Sequence, residues 1–126
     1  AGGAILVVED ERGLRLLVER VLSAHGHRVV SAATPREALG IAAERGMRFD
    51  LVISDIVLPQ MSGRALVDQL RVSQPLARVL YMSGYTDDVV VRHGVQTGQT
   101  PFLQKPFSPA VLSDKVRDVL QQGRPI

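Results

Sequence analysis

The stretch Leu51-Val52-Ile53-Ser54-Asp55-Ile56-Val57-Leu58-Pro59 decides how this chain folds. Four apolar or small residues run into a single aspartate, and Pro59 breaks the chain four residues later. A short apolar run bounded by chain breakers is typical of a buried strand. The strand therefore carries Asp55 to the edge of a sheet, where we expect an exposed carboxylate that is available for chemistry.

The composition indicates one globular domain. The 126 residues fit a single domain over residues 1–126, with an ordered core over about 4–121 and linker at both ends. The chain has no cysteine, which excludes disulfides and thiolate metal ligands and fits a cytoplasmic protein. No apolar run approaches the roughly 20 residues that span a bilayer, and the amino end lacks the features of a signal peptide.

The charge distribution argues against nucleic acid as a partner. The net charge is +2, and the basic residues are scattered along the sequence. Two Tyr, three Phe and no Trp offer little aromatic surface on which bases could stack. We therefore expect no direct nucleic-acid binding by this domain, and no membrane contact.

Short apolar strands alternate with amphipathic helices along the sequence. Strands are predicted over residues 4–8, 28–32, 49–54, 78–82 and 101–104. Five helices follow them, over residues 11–24, from 35 to about 45, from 63 to before 75, over 86–93 and from 109 to about 120. Strands that are apolar on both faces need helices on both sides, which indicates a parallel α/β sheet with right-handed crossovers.

Three of these helices have recognisable starts, and the first has a clear apolar face. Thr34, Pro35 and Glu37 fit the N-cap, the first helical position and the third position of a capping box. Ser62 and Ser108 fit N-caps of the third and last helices. In the first helix the apolar residues recur with the helical period and should face the core: Leu14, Leu17, Val18, Val21 and Leu22.

Polar residues follow four of the five predicted strands. Glu9 and Asp10 follow the first strand, Asp55 the third, Ser83 the fourth and Lys105 the fifth. Each has a simpler explanation on its own, since an acid after a strand can cap a helix and the other residues can belong to turns. The carboxyl ends of parallel strands meet at one edge of a sheet, however, so together they predict a ligand site there.

The residue types at this edge favour phosphoryl transfer to an aspartate. Three carboxylates repel one another unless a cation lies among them, and an oxygen-only ligand set suits Mg²⁺, with Mn²⁺ as the alternative ion. Asp55, last on a rigid strand, is then the nucleophile. Lys105 adds a positive charge for the phosphoryl group, and Ser83 offers a hydroxyl. The expected product is an aspartyl phosphate.

The same residues resemble the motif set of a known family. Glu9-Asp10, Asp55 followed by Pro59 and Gly63, Ser83, and Lys105-Pro106-Phe107 are similar to the response-regulator receiver domain of two-component signalling. The similarity covers essentially the whole chain. It implies a flavodoxin-like fold of five β/α units with strand order 2-1-3-4-5.

The resemblance also implies a role for each residue of the site. Asp55 matches the phosphoacceptor, which receives its phosphoryl group from the phosphohistidine of a histidine kinase or phosphotransfer domain. Asp10 and Asp55 match direct Mg²⁺ ligands, Val57 would add only its backbone carbonyl, and Glu9 would act through water. Lys105 matches the phosphate-binding lysine.

Two further residues match the conformational switch of the family. Ser83 matches the switch hydroxyl, and Phe102 matches the switch aromatic, although a phenylalanine on a strand is also an ordinary core residue. In the family, phosphorylation biases a two-state equilibrium of these side chains and remodels one face of the domain. The Lys105-Pro106 bond is cis in the family.

The phrases around Tyr85 and Phe107 resemble receivers that are fused to hybrid sensor histidine kinases. A kinase or effector domain in the parent chain, and dimerisation through the face of the helix predicted over 86–93, are compatible with the sequence. Two alternatives are open: a degenerate receiver that only binds proteins, and a phosphatase of the haloacid-dehalogenase type. The phosphatase needs a second aspartate where Val57 stands, so we expect no enzyme beyond self-phosphorylation and slow self-dephosphorylation.

Overall fold

A single parallel sheet forms the centre of the computed structural model, which describes residues 4–44, 46–84 and 101–122. Its strands are β1 (Ala4–Val8), β2 (Val29–Ala32), β3 (Phe49–Asp55), β4 (Arg78–Ser83) and β5 (Phe102–Gln104). Their order in space is β2-β1-β3-β4-β5, and every neighbouring pair is parallel. The predicted α/β class and the strand order 2-1-3-4-5 are confirmed.

Helices cover both faces of this sheet. Within the described residues they are α1 (Arg12–Ala24), α2 (Pro35–Ala42), α3 (Gly63–Ser73) and α4 (Pro109–Gln121). The core residues of α1 and α4 pack on one face, and those of α2 and α3 on the other, as predicted. The helix expected over 86–93 lies outside the described residues. None of the helices described here has the length and apolarity that a membrane crossing requires.

The alternation of side chains along β1 divides the interior into two cores. All five residues of this strand are buried. Ile5 and Val7 join the core beneath α1 and α4, whereas Leu6 and Val8 join the core beneath α2 and α3. Successive side chains of a strand point to opposite faces, so a central strand must be apolar throughout. This explains the unbroken apolar runs in the sequence.

The predicted helix caps are confirmed, with one difference. The Thr34 hydroxyl accepts a hydrogen bond from the Glu37 N–H at 3.1 Å. The Glu37 carboxylate, however, accepts from the N–H of Ala33 at 3.3 Å, one residue before the partner that a regular capping box uses. Ser62 and Ser108 cap α3 and α4 through their side chains.

One expectation for α1 is wrong, and one alternative explanation for Asp10 is excluded. The cap of this helix is Glu11, whose carboxylate accepts from two backbone N–H groups in the first turn, so Asp10 is not needed as a cap. Leu17 is 38% exposed instead of buried. The helix buries Val18 and Leu22, and a rotation of about 100° per residue turns Leu17 away from the sheet.

A buried glutamine links three elements at the end of the sheet where the strands begin, opposite their carboxyl ends. Gln74 is only 6% exposed and follows the end of α3. Its Oε1 accepts from the N–H of Phe49 at 3.0 Å, and its Nε2 donates to the carbonyls of Ala42 at 3.1 Å and Met47 at 2.9 Å. One side chain thus ties α3, the end of α2 and the start of β3 together.

Candidate functional site

The carboxyl ends of β1, β3, β4 and β5 surround a pocket of about 480 Å³. The residues that line it are Asp10, Asp55, Val57, Leu58, Pro59, Met82, Ser83, Gly84 and Lys105. Glu9 is fully buried and contacts Lys105. The structure therefore brings together six of the seven residues proposed from the sequence, and only Phe102 stands outside the pocket.

Asp55 is the last residue of β3, but it is not the exposed carboxylate that the sequence led us to expect. The residue is only 3% exposed. The connection that follows β3 folds back on itself, because Val57 pairs with Ser62 in an isolated antiparallel bridge. The N–H of Gly63 donates to the carbonyl of Ile56 at 2.6 Å. Asp55 therefore lies at the bottom of the pocket rather than on an open rim.

Gly63 permits this close return of the chain. A Cβ atom at this position would overlap the main-chain carbonyl oxygen of Asp55, and it would lie 2.9 Å from the carbonyl carbon. Those atoms belong to backbone in the central sheet, which cannot shift easily. The sequence identified Gly63 only as part of a family motif, and the structure supplies the steric reason for a glycine.

Lys105 connects two of the buried acids by ion pairs. Its Nζ lies 2.6 Å from Asp55 Oδ1 and 2.7 Å from Glu9 Oε1. Even so, within the described part of the chain neither carboxylate oxygen of Asp55 has a hydrogen-bond partner of acceptable geometry. The short distance establishes an ion pair with Lys105, and a carboxylate has further lone pairs that a ligand can use. A buried acceptor in this state is rare in folded proteins.

Glu9 makes more contacts than the sequence suggested. Its Oε2 accepts from the N–H of Glu11 at 2.9 Å, and its Oε1 accepts from Lys105. The guanidinium of Arg15 donates to the main-chain carbonyl of Glu9 at 2.9 Å. Sequence reasoning missed Arg15 altogether. The signal that could have pointed to the contact with Lys105 is the extra methylene of a glutamate where the family more often has an aspartate.

The buried charges shift one another's pKa values in opposite directions. Burial, and secondarily the neighbouring Glu9 carboxylate, raise the pKa of Asp55 to about 8. Burial also acts to raise the pKa of Glu9, but contacts with Asp55, Lys105 and the Glu11 N–H lower it overall. Burial acts to lower the pKa of Lys105, and its two acidic partners outweigh it and raise that pKa. The site is therefore short of positive charge around Asp55.

The donor set at this site fits a magnesium ion. Carboxylate oxygens of Glu9, Asp10 and Asp55 lie within 4.8 Å of one another, and the oxygens of Asp55 lack hydrogen-bond partners in the described structure. In the part of the chain that the structure describes, the pocket lining contains carboxylate and hydroxyl groups but no imidazole. Hard oxygen ligands of this kind suit Mg²⁺ or Mn²⁺ rather than softer ions.

The two residues matched to the switch lie in different surroundings. Ser83 ends β4 and is 3% exposed, and its main-chain carbonyl accepts from the N–H of Lys105 at 2.8 Å. Phe102 is partly buried and packs on a small apolar cluster that includes Tyr81. This is the ordinary core contact that the sequence also allowed. The Lys105-Pro106 peptide bond is cis, as the resemblance implied.

The chain belongs to the response-regulator receiver domains. The family model described as the response regulator receiver domain matches residues 5–117. Receiver domains are signalling modules of two-component systems, so the fold, the family and the pocket at the strand ends agree. The family assignment made from the sequence is confirmed.

Known proteins that resemble the chain include receivers of hybrid kinases and of chemotaxis. The sensor kinase CckA of Brucella abortus is 37% identical over 118 residues, which are 94% of this chain but only 12% of that protein. The crystal structure of the receiver domain from hybrid histidine kinase CckA is 36% identical, with a TM-score of 0.77, and the match covers 94% of this chain and 100% of that one.

The chemotaxis protein CheY4 of Vibrio cholerae is 30% identical, with a TM-score of 0.81, and the match covers 94% of this chain and 99% of that chain. The CheY-like fold is thereby confirmed, as is the similarity to receivers of hybrid kinases.

Proposed function

We propose that this receiver stores a phosphoryl group on Asp55, which it takes from the phosphohistidine of a histidine kinase or phosphotransfer domain. The observation that carries the proposal is the state of Asp55. It is buried at the end of the central strand β3, paired in charge with Lys105 alone among the described residues, and neither carboxylate oxygen has a hydrogen bond of acceptable geometry there. A group in this state is costly unless a ligand uses it.

The transfer needs little covalent chemistry from the protein. An oxygen of Asp55 forms a bond to phosphorus while the bond from phosphorus to the donor imidazole breaks, and the histidine leaves with the electron pair and takes up a proton. Lys105, already 2.6 Å from Asp55, contacts the anionic phosphoryl oxygens. Ser83, beside it at the end of β4, donates its hydroxyl to another of them. The product is an aspartyl acyl phosphate.

Asp10, Asp55 and the backbone carbonyl of Val57 would hold a divalent ion directly, and Glu9 would act through water. Bound Mg²⁺, or Mn²⁺ in its place, supplies neutralisation of the charge that develops on the phosphoryl oxygens. Among the residues that the structure describes, Lys105 is the cation that faces the buried carboxylates of Glu9 and Asp55. Burial, and then the neighbouring Glu9 carboxylate, raise the pKa of Asp55.

The stored phosphoryl group is expected to be long-lived and to act through a switch. Val57 lines the pocket with an apolar side chain that cannot orient a hydrolytic water, so self-dephosphorylation should be slow. Ser83 and Phe102 would couple the phosphoryl group to the output face. Similarity to a hybrid kinase supports a parent chain with a kinase domain, acting in the cytoplasm.

The test is incubation with acetyl phosphate and Mg²⁺, followed by intact mass spectrometry. We expect one added phosphoryl group, absent when EDTA is present and absent in Asp55→Asn. The matched control is Asp50→Asn, which removes an acid from the start of the same strand. Failure to form an adduct with acetyl phosphate and with a phosphorylated kinase alike would favour a degenerate receiver that only binds proteins.

A further inference from the structure

We propose that Glu9 is a clamp that engages Lys105 in the metal-free domain and must release it when Mg²⁺ binds. This inference rests on the proposed function, because it concerns how the same site is loaded. It gives Glu9 a role different from the water-mediated one that the family resemblance implies. In that role Lys105 and the metal compete for the Glu9 carboxylate.

The clamp is a continuous series of contacts at the carboxyl ends of the strands. The N–H of Glu11 donates to Glu9 Oε2, and Lys105 Nζ donates to Glu9 Oε1 at 2.7 Å. The same Nζ lies 2.6 Å from Asp55 Oδ1. The series therefore joins the loop after β1 to the segment after β5, with the proposed phosphoacceptor at its end. Glu9 is fully buried, so its carboxylate is shielded from water, which strengthens these contacts.

The main chain of Glu9 is held on both sides, which leaves only its side chain free to move. Its N–H donates to the carbonyl of Ala32 at 3.1 Å. Its carbonyl accepts from Arg15 at 2.9 Å. A change of partner at Glu9 must therefore be a rotation of the carboxylate and not a shift of the loop. A cation that approaches Glu9 Oε1 competes with Lys105 for that oxygen.

The length of glutamate makes the double contact feasible. An aspartate at position 9 is shorter by one methylene, so with the same fixed backbone we expect it to lose the contact with Lys105. The clamp lowers the affinity for Mg²⁺, since the ion must replace a charge-assisted hydrogen bond before it can use the acidic cluster. Shortening the side chain removes that competition.

Calorimetric titration of Glu9→Asp with Mg²⁺ tests the clamp. We expect the variant to bind Mg²⁺ about threefold to tenfold more tightly than the unchanged domain, the range for loss of one competing hydrogen bond. Its thermal midpoint in EDTA should be lower, and the deficit should disappear in saturating Mg²⁺. Glu11→Asp is the matched control, because Glu11 caps α1 from the same loop. It should change the affinity less than twofold.

Equal or weaker Mg²⁺ binding by Glu9→Asp overturns the clamp, and so does an equal gain in Glu11→Asp. These results leave the proposed function standing if the unchanged domain binds Mg²⁺ and accepts a phosphoryl group. No Mg²⁺ binding by the unchanged domain overturns the proposed function, and the clamp with it.

A second measurement needs no substitution and therefore stands even if the variant fails to fold. The chain has two lysines, Lys105 and Lys115, so ¹³C-labelled lysine gives two Cε signals in NMR spectra. Because Lys115 lies on α4, it serves as an internal control. Titration with Mg²⁺ should move the Lys105 signal and leave that of Lys115 in place. A Lys105 signal that ignores saturating Mg²⁺ overturns the clamp.

Discussion

Two buried polar side chains lie at opposite ends of the strands and differ in their hydrogen bonding. Gln74 is 6% exposed and Asp55 3% exposed. The amide of Gln74 makes three hydrogen bonds to backbone groups. The carboxylate of Asp55 makes none of acceptable geometry within the described structure. Burial alone therefore does not distinguish a structural residue from a functional one, and the state of its hydrogen bonds does.

The difference in hydrogen bonding between Gln74 and Asp55 has a consequence for stability. A fully satisfied polar group fixes the elements around it, so its removal should cost stability. An unsatisfied buried carboxylate already costs stability in the absence of its ligand, so its neutralisation should have the opposite effect. Substitutions of Gln74 and of Asp55 should change the free energy of unfolding with opposite signs.

The largest loss of stability is expected from Gly63→Ala, because the new methyl group would overlap the backbone carbonyl beneath Asp55. We expect a loss of about 3 kcal/mol or more in the free energy of unfolding, at the upper end for overpacked cores. Urea titration measures it. Gly40→Ala is the control: Gly40 lies in α2 with open space around its Cβ position, and alanine there should stabilise by about 0.5–1 kcal/mol. Equal effects of the two would contradict the steric role of Gly63.

Gln74→Ala tests the contribution of the three hydrogen bonds that the Gln74 amide makes. The substitution leaves the N–H of Phe49 and two carbonyls without their partner. The expected loss is about 2–4 kcal/mol by urea titration, because each orphaned buried group carries a desolvation penalty. Gln69→Ala removes an exposed glutamine from α3 and should change the stability by less than about 0.5 kcal/mol. A neutral Gln74→Ala would mean that the three hydrogen bonds add nothing.

Asp55→Asn should stabilise the metal-free domain, and the gain should depend on pH. The pKa of Asp55 is raised from its ordinary 3.8 to about 8, so the folded state binds this proton more tightly than the unfolded state. The unchanged domain therefore loses stability as pH rises from about 4 to 8. We expect Asn, which resembles the protonated acid, to add about 1–3 kcal/mol at pH 8 in EDTA. The difference should shrink towards pH 4.

The lowered pKa of Glu9 acts in the opposite direction, since its contribution is present above the usual value of 4.5 and is lost below it. Melting curves of both proteins from pH 4 to 9 separate the two effects. A gain from Asp55→Asn that is the same at every pH would show that charge burial is not its source.

The smallest expected effect concerns the lifetime of the phosphoryl group. Val57 is 37% exposed and lines the pocket. Val57→Asn places an amide there that can orient water, and we expect dephosphorylation to become several-fold faster. The decay of the phosphorylated mass in Mg²⁺, after acetyl phosphate has been removed, measures the rate. Leu76→Asn, a similar change at an exposed site outside the pocket lining, should leave the rate unchanged. No acceleration in Val57→Asn would exclude the apolar side chain as the cause of a long lifetime.

The fold could be predicted from local patterns because those patterns also govern its assembly. Apolar runs such as residues 4–8 suit only a strand with both faces covered. The side chains of Thr34, Ser62 and Ser108 accept hydrogen bonds from backbone N–H groups three residues later. Because both partners lie close together in the sequence, these caps could be predicted from it. The strand order came from the family resemblance and not from the residues themselves.

The details of the site could not be predicted, because they depend on contacts between distant parts of the chain. The contact of Lys105 with Glu9 joins residues that are 96 positions apart. The depth of Asp55 depends on the return of the chain at Gly63, which is visible only in three dimensions. Glu11 was missed as a cap because glutamate is not among the preferred capping residues. The residue types of the site could be predicted from the sequence, but the residues that they contact could not.

The most direct test of the central claim is the position of the phosphoryl group. The domain is phosphorylated with acetyl phosphate and Mg²⁺ and treated with borohydride, which reduces an aspartyl phosphate to homoserine. Peptide mapping then locates the altered residue. We predict homoserine at position 55 alone, with Asp10 intact although it lies in the same pocket. Modification at Asp10, or at any residue other than Asp55, would contradict the assignment of the buried carboxylate of Asp55 as the phosphoacceptor.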